Sequence, residues 1–377
     1  MKGLLFAAAV AVAAAPGVVD DAPERGSLTN LARGATIISR TGESYLAASA
    51  MEVIDGDPGS FWVSPPRDFP QSIVIGLPAR ARIDRVGLRT SKEVQTANRV
   101  QFEASPDGAA WRPLVTVTAA ATGEAQWFDV APVEASQLRV TVVDARPSQT
   151  HVRLYSVLAH GTELEPPRAG AIDGCWSLNG RPATFARRGA RVTGALKIGE
   201  LPILLDGAGD GRTIRFVWIR GNDYGLAMAT VSPDGKHLTA QVWHEEAIPL
   251  FDADPWFGER AACAAPQPRE DVAAALLRRV GRYSLFATDA ASIDHLVKLL
   301  GSLRLPGRIV VHEFREATPQ ANLLRSQKRL EEVRAALGGR AAGVEFVAAG
   351  SDNPRQAPVT QAMREMYSSV DVEVFRR

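Results

Sequence analysis

Three sets of residues in this chain have types and spacing that suit chemistry. Asp55, Asp57 and Ser60 put two carboxylates and a hydroxyl on one short loop. They are hard oxygen donors of the kind calcium prefers. The same aspartates could instead accept from their own backbone and only shape a turn. Arg329 lies on a stretch with helical spacing and offers a planar fork to a carboxylate. Its alternative is a solvated helix arginine paired with Glu331 or Glu332. Tyr45, Arg67 and Phe69, with Asn98, Arg99, Arg146 and His151, are aromatic and polar groups between strand-like runs, each of which also reads as an ordinary surface residue. No nucleophile–base arrangement emerges: the histidines are scattered, and neither Gly-x-Ser-x-Gly, His-Glu-x-x-His nor a phosphate-cradling glycine loop is present. Trp243-His-Glu-Glu246 and Pro255-Trp-Phe-Gly-Glu-Arg260 bring aromatic and polar groups together, and read better as hairpin packing than as a pocket.

The elements that must position these groups divide into three segments. Glu165-Pro-Pro-Arg-Ala-Gly170 and Ala264-Ala-Pro-Gln-Pro-Arg269 break composition, because prolines and small residues continue neither helix nor ladder. Before the first break, short alternating runs such as 72–75, 82–88 and 138–143 suit a β-sandwich. Turn chemistry at Asp55-Gly-Asp-Pro-Gly-Ser-Phe-Trp62 and Ser105-Pro-Asp-Gly108 fixes corners, with Trp62 and Trp111 placed to fill its core. Between the breaks, 190–196, 213–219 and 237–243 alternate again, with turns at 209–211 and 232–235. Trp176, Trp218 and Trp243 are expected in the core of this second all-β segment, a barrel or meander. Cys175 and Cys263 are the only cysteines and lie near its two ends, so a disulfide would tie first strand to last. After the second break the period becomes helical at 292–300 and 325–337, with strands at 307–311, 343–348 and 369–374. The order predicts an α+β domain with helices on one sheet face.

Bulk properties narrow the function classes. The chain has 377 residues, with 43 basic against 42 acidic, so charge gives no case for a nucleic-acid partner. Residues 1–13 combine Lys2, an apolar run and Ala11-Val-Ala13, the pattern of a cleaved secretory signal peptide. No later stretch has the length of a transmembrane helix. The expected protein is exported to the periplasm or the outer-membrane surface, as a signal peptide (1–13), a sandwich (28–163), a disulfide-closed β-domain (170–265) and an α+β domain (270–377).

Asn30-Leu-Ala-Arg-Gly-Ala35, Asp55 to Trp62 and Phe102 to Trp111, in that order, resemble the discoidin domain, also called the coagulation-factor type C or galactose-binding-like jelly-roll sandwich. That resemblance implies a binding module, often for carbohydrate, with sugar sites on loops at one end; Tyr45, Arg67 and Phe69 are the candidates. It also implies a structural calcium at Asp55, Asp57 and Ser60, although the family's usual glutamate falls on Ser156.

Asn322, Ser326, Arg329, Val333 and Leu337 follow the spacing of the peptidoglycan-binding helix of OmpA-like domains. Carried over, the family aspartate falls on Glu316, and Arg329 with Glu316 would grip the charged ends of a stem peptide, Asn322 beside them. The family's closing Asn-Arg-Arg-Val falls on Tyr367-Ser-Ser-Val370, which removes polar contacts. Together these resemblances imply a non-catalytic envelope protein binding glycan at one end and peptidoglycan at the other. The alternative is an enzyme acting on a polymer, with the middle domain catalytic and its neighbours as targeting modules.

Overall fold

The computed structural model describes residues 22–44, 48–66, 69–198, 201–244, 255–262, 271–303, 307–352 and 360–375. The expected signal peptide and the linker at 264–269 lie outside them. No helix among the described residues is long and apolar enough to cross a membrane.

After a short helix α1 (Ala22–Gly26), seven strands make a jelly-roll sandwich: β1 (Thr36–Arg40), β2 (Trp62–Val63), β3 (Gln71–Thr90), β4 (Ala97–Ser105), β5 (Arg112–Thr118), β6 (Gln126–Ala145) and β7 (Arg153–Glu163). The order is β2-β7-β3-β6-β4-β5, with β1 on β3. β3 and β6 are long enough to serve both layers. The first part of β3 pairs β1 and the second pairs β7, with a register break between Gly76 and Ala81. Pro78 sits in that break, where a ladder donor is not needed. Strands that bend between layers turn the corners of such a sandwich. Its core holds Trp62, Ile73, Ile75, Ile83, Leu88 and Phe102, all fully buried. Trp111 departs from expectation. It lies at the surface with Arg139 4.3 Å over its ring and its Nε1–H on Gly108 O, because β5 is an edge strand with an exposed face.

The middle segment is a closed antiparallel barrel of β8 (Gly174–Leu178), β9 (Arg181–Arg188), β10 (Arg191–Ile198), β11 (Leu201–Gly209), β12 (Ile214–Arg220), β13 (Asp223–Val231), β14 (His237–His244) and β15 (Trp256–Arg260). β15 pairs β8, so the last strand closes on the first. Asn179 and Gly180 form the β8–β9 hairpin turn at positive φ, which asparagine and glycine tolerate best. Asp210 Oδ1 accepts from Arg212 N and Thr213 N to shape the β11–β12 turn. The interior is filled by Trp176, Phe185, Phe216, Trp218, Trp256 and surrounding aliphatics. Cys175 on β8 is buried and is not a free thiol; Cys263 lies outside the described residues.

The last segment alternates helix and strand: α2 (Val272–Arg279), β16 (Arg282–Leu285), α3 (Ala290–Leu303), β17 (Gly307–His312), α4 (Pro319–Leu337), β18 (Glu345–Gly350), α5 (Gln361–Tyr367) and β19 (Val370–Val374). Thr318 caps α4 by accepting from Ala321 N, with Pro319 at its first position. The sheet runs β16-β19-β17-β18, parallel only between β17 and β18.

Part of the barrel wall, on β10 to β14, is buried on both sides. Leu204, Val217, Ile219, Leu226, Met228 and Trp243 point outward and join one apolar core with α2, α3, α4 and the four-stranded sheet. Helix α2 lies against β11 and β12, and α5 against β13. Trp243, expected in a core role, is buried in this core on the outer side of the barrel. Each large aliphatic side chain removed from water there contributes about 1.5–3 kcal/mol, so barrel and α+β domain stabilise each other.

Candidate functional site

Loops at one end of the sandwich are tied together by backbone and hydroxyl groups. Trp62 Nε1 donates to Gly42 O at 2.9 Å, Ser44 N to Val63 O at 3.0 Å and Ser64 N to Val152 O at 3.0 Å. Ser64 Oγ accepts from Val152 N at 3.1 Å. This stitching fixes the ends of β2 and β7, which pair as Trp62 with Leu154 and Val63 with Arg153. Alternation then sends Trp62 and Leu154 to the core and Phe61, Arg153 and Tyr155 to the partly exposed outer face.

On that face Phe61 and Tyr155 meet edge to face, ring centroids 5.3 Å apart, and the Arg153 guanidinium lies 4.6 Å over the Phe61 ring. Arg153 Nε donates to Gln95 Oε1, and Gln95 N donates to Gln149 Oε1 at 2.7 Å. His151 Nδ1 and Thr150 Oγ1 are 2.8 Å apart beside them. An aromatic surface flanked by Arg, Gln and His supplies stacking and directional hydrogen bonds together, the requirements for holding a sugar ring.

Of the sequence candidates for this role, Tyr45 and Arg67 lie outside the described residues. Phe69 is half-buried, as Phe61 and Tyr155 are, and packs against the sandwich core. Asn98 and Arg99 are held by Asp144, at 2.9 Å and 2.7 Å. Phe61, Tyr155, Arg153 and Gln95 were not among the candidates. β2 is two residues long, too short for alternation to reveal, but Tyr155 and Arg153 sit at strand spacing on β7 and could have been found that way.

The Asp55 loop is a buried carboxylate group. Asp55 is 2% exposed; its Oδ1 accepts from Asp57 N at 2.8 Å and its Oδ2 from Ser60 Oγ at 2.8 Å. Asp57 Oδ1 accepts from Gly59 N at 2.8 Å. These are the self-bonded turns the metal-free alternative describes. Burial, then the charges of Glu52 and Asp57, pushes the Asp55 carboxyl well above its usual range. Burial raises Glu52 to about 7, with Asp57 and Glu43 adding to the rise. Carboxylates and a hydroxyl gathered on one loop are donors that fit a hard cation by charge and by type. Ser156, where the resemblance wants a glutamate, donates to Glu24 Oε1 at 2.8 Å. Arg89 in turn pairs with that carboxylate at 3.0 Å. The carboxylate near Ser156 thus comes from α1 and is already neutralised.

Elsewhere, donor atoms of Asp206, Asp271 and His295 converge where the barrel meets the α+β domain. Arg191 Nη2 lies 2.8 Å from Asp206 Oδ2 and 3.1 Å from His295 Nε2. Its guanidinium thus already engages both Asp206 and His295. This group is an interdomain ion pair, with Tyr283 Oη donating to Asp206 at 3.3 Å.

In the α+β domain Glu316 and Asn322 of the expected trio are brought together, and Arg329 is turned away from them. Arg329 Nη1 faces Glu313, not Glu316, at 3.2 Å, and also donates to Ser368 O at 3.2 Å, while its Nη2 donates to Phe286 O at 3.4 Å. Glu313 is 2% exposed and also draws Arg315 to 3.6 Å. Barrel residue Arg215 enters the same region and donates to Glu365 O at 2.8 Å. Its burial, with the charges of Arg315 and Arg329, lowers it to about 10. Glu316 instead pairs with the half-exposed Arg325. Asn322 is buried and clamps the Glu316 backbone, accepting from its N–H at 2.9 Å and donating to its carbonyl at 3.3 Å. Asn322 and Arg329 are therefore internal struts. The reason is geometric: the strand end carrying Glu313 turns inward under α4, and Glu316 falls on the outer loop.

Residues 35–155 match the family model of the F5/8 type C domain. No curated protein matches the chain. Among solved structures, the chain is similar to the C-terminal domain of a chitobiase from Bacteroides fragilis, with 23% identity over 35% of this chain and 96% of that one and a TM-score of 0.33. It is also similar to the family 32 carbohydrate-binding module of NanJ from C. perfringens, solved in complex with galactose, at 14% identity over 33% of this chain and 98% of that one, TM-score 0.29. The family 32 module of EndoD from Streptococcus pneumoniae shows 16% identity over 35% of this chain and 99% of that one, TM-score 0.31.

Proposed function

We propose that this is a non-catalytic, exported envelope protein that binds glycan through the loop end of its F5/8 type C sandwich. The observation that carries the reading is the Phe61–Tyr155 pair with Arg153 and Gln95 beside it, on a sandwich whose sequence matches that family. Such a surface presents rings to the apolar face of a sugar and fixed donors and acceptors to its hydroxyls. The packed barrel interior supports a supporting rather than catalytic role for the middle domain. A Cys175–Cys263 bridge and cleavage of residues 1–13 belong to the same proposal, since disulfides persist in oxidising compartments. Calcium, held by Asp55, Asp57 and Ser60, would compensate the buried carboxylates and set the neighbouring turn; it supplies structure, not chemistry.

Association with peptidoglycan through the α+β domain is the finer part of the proposal. It rests on Glu316 and Arg325 at the surface, a carboxylate and a guanidinium placed to exchange partners with a stem peptide's amine and carboxylate. A glycan array with and without calcium tests the sandwich, and co-sedimentation with peptidoglycan sacculi tests the α+β domain. Binding to no glycan in either condition sinks the first reading, and protein left entirely in the supernatant sinks the second.

A further inference from the structure

The seam between sandwich and barrel contains a cleft with unused polar groups. Strand β1 of the sandwich lies across the outer face of the barrel, fixed by threonines. Ile37 N donates to Thr239 Oγ1 at 2.9 Å, Thr230 Oγ1 donates to Ala35 O at 2.8 Å, and the Thr36 and Thr230 hydroxyls are 3.0 Å apart. This clamp leaves an open cleft of about 220 Å³ beside it.

Its floor is a row across three barrel strands. His237 on β14, Glu259 on β15 and Ser177 on β8 are Cα partners in the ladders, so their side chains stand together on one face. In the next row Phe257 carries the Arg40 guanidinium 3.7 Å above its ring. Glu43 accepts from Arg40 Nε at 2.5 Å and holds that stack in place. Among the described residues, neither Ser177 Oγ nor the Glu259 carboxylate has a hydrogen-bond or ion-pair partner, and the His237 ring interacts only with the charge of Asp234. Polar groups gathered in a concave place at a domain seam, and left unpaired by the fold, are the usual make-up of a ligand site.

The charges decide which ligand. An anion would meet Glu259, and a cation would meet Arg40. A neutral ring with adjacent hydroxyls satisfies both, accepting from Arg40 and donating to Glu259, with Ser177 and His237 able to do either. The volume lies below the roughly 300 Å³ at which sites for drug-sized ligands begin, so one ring fits and a longer chain would extend into solvent.

We propose that this cleft is a second saccharide site, taking a single pyranose ring between Arg40 and the His237–Glu259–Ser177 row. It stands apart from the Phe61–Tyr155 surface, and neither needs the other to bind. Two sites on one chain would raise avidity for a branched or repeating glycan without new contacts at either.

The test is an amide-resolved NMR titration of the full chain with galactose, N-acetylgalactosamine, glucose and N-acetylglucosamine in turn. At least one sugar is expected to shift the amides of Ser177, His237 and Glu259 along a saturating curve. The exposed-face double variant His237→Ala/Glu259→Gln is expected to weaken that response tenfold or more while shifts around Tyr155 persist. Absence of shifts at the cleft with all four sugars, up to roughly 50 mM and so far above a millimolar dissociation constant, overturns the proposal. So does a cleft response that the double variant leaves unchanged. A loss confined to the Tyr155 region in Phe61→Ala would instead concern the loop-end site alone.

Discussion

Arg153 and Arg329 are both arginines beside an oxygen acceptor, and the fold uses them in opposite ways. Arg153 stays partly exposed, stacks on Phe61 and keeps donors for a visitor. Arg329 has a side chain 13% exposed and donates to Glu313 and to two backbone carbonyls. Residue type and spacing alone rank Arg329 as the better ligand-binding arginine. Burial reverses the ranking, because a guanidinium taken out of water must be paired internally.

The comparison breaks most visibly in stability. Arg329→Ala leaves Glu313 buried without its nearest partner and is expected to cost about 3–5 kcal/mol, read by denaturant unfolding. A loss below about 1 kcal/mol, the range of surface ion pairs, would return Arg329 to the class of surface residues.

Next in size is the carboxylate loop. Glu52, raised from 4.5 to about 7, holds its proton more tightly folded than unfolded. Its stabilising contribution is full below about pH 4.5 and is lost as pH rises towards 7, a swing of about 3 kcal/mol at 1.36 kcal/mol per pH unit. In chelator the Tm is therefore expected to be higher near pH 5 than near pH 8 once the other carboxylates are matched by a Glu52→Gln control. Added calcium should raise it mainly at pH 8. A calcium-independent Tm at pH 8 would leave the turn metal-free.

A smaller effect, but on binding alone, is expected from Phe61→Ala or Tyr155→Ala. Each should weaken glycan binding by tenfold or more, about 1.4 kcal/mol, while Tm changes little. At the surface, Arg325→Ala should change stability by less than about 1 kcal/mol. It should lower the fraction bound to sacculi, and an unchanged fraction would remove the Glu316–Arg325 pair as the contact point.

Much of the architecture was legible because period and turn chemistry are local. The alternating runs and the Asp-Gly-Asp and Ser-Pro-Asp-Gly turns marked the sandwich and the barrel, and the switch to helical spacing at 292–300 and 325–337 anticipated α3 and α4. What was not legible depends on which face meets another domain. Trp243 alternates with Leu238, Ala240 and Val242, which fill the barrel, and it is buried only because the α+β domain covers the outer wall. Glu313 and Glu316 are indistinguishable in sequence. Only the turn after β17 decides that the first goes under α4 and the second stays outside. Phe61 was hidden for the opposite reason: it precedes a two-residue strand too short to show a period at all.

The most direct test of glycan binding at the loop end is a titration of the full chain and of Phe61→Ala/Tyr155→Ala with glycans selected from an array, at matched calcium. The account expects saturable binding to the unaltered chain, at least tenfold weaker in the double variant, with both proteins unfolding within a few degrees of each other. Equal affinity in the two, or no binding by the unaltered chain, would contradict it.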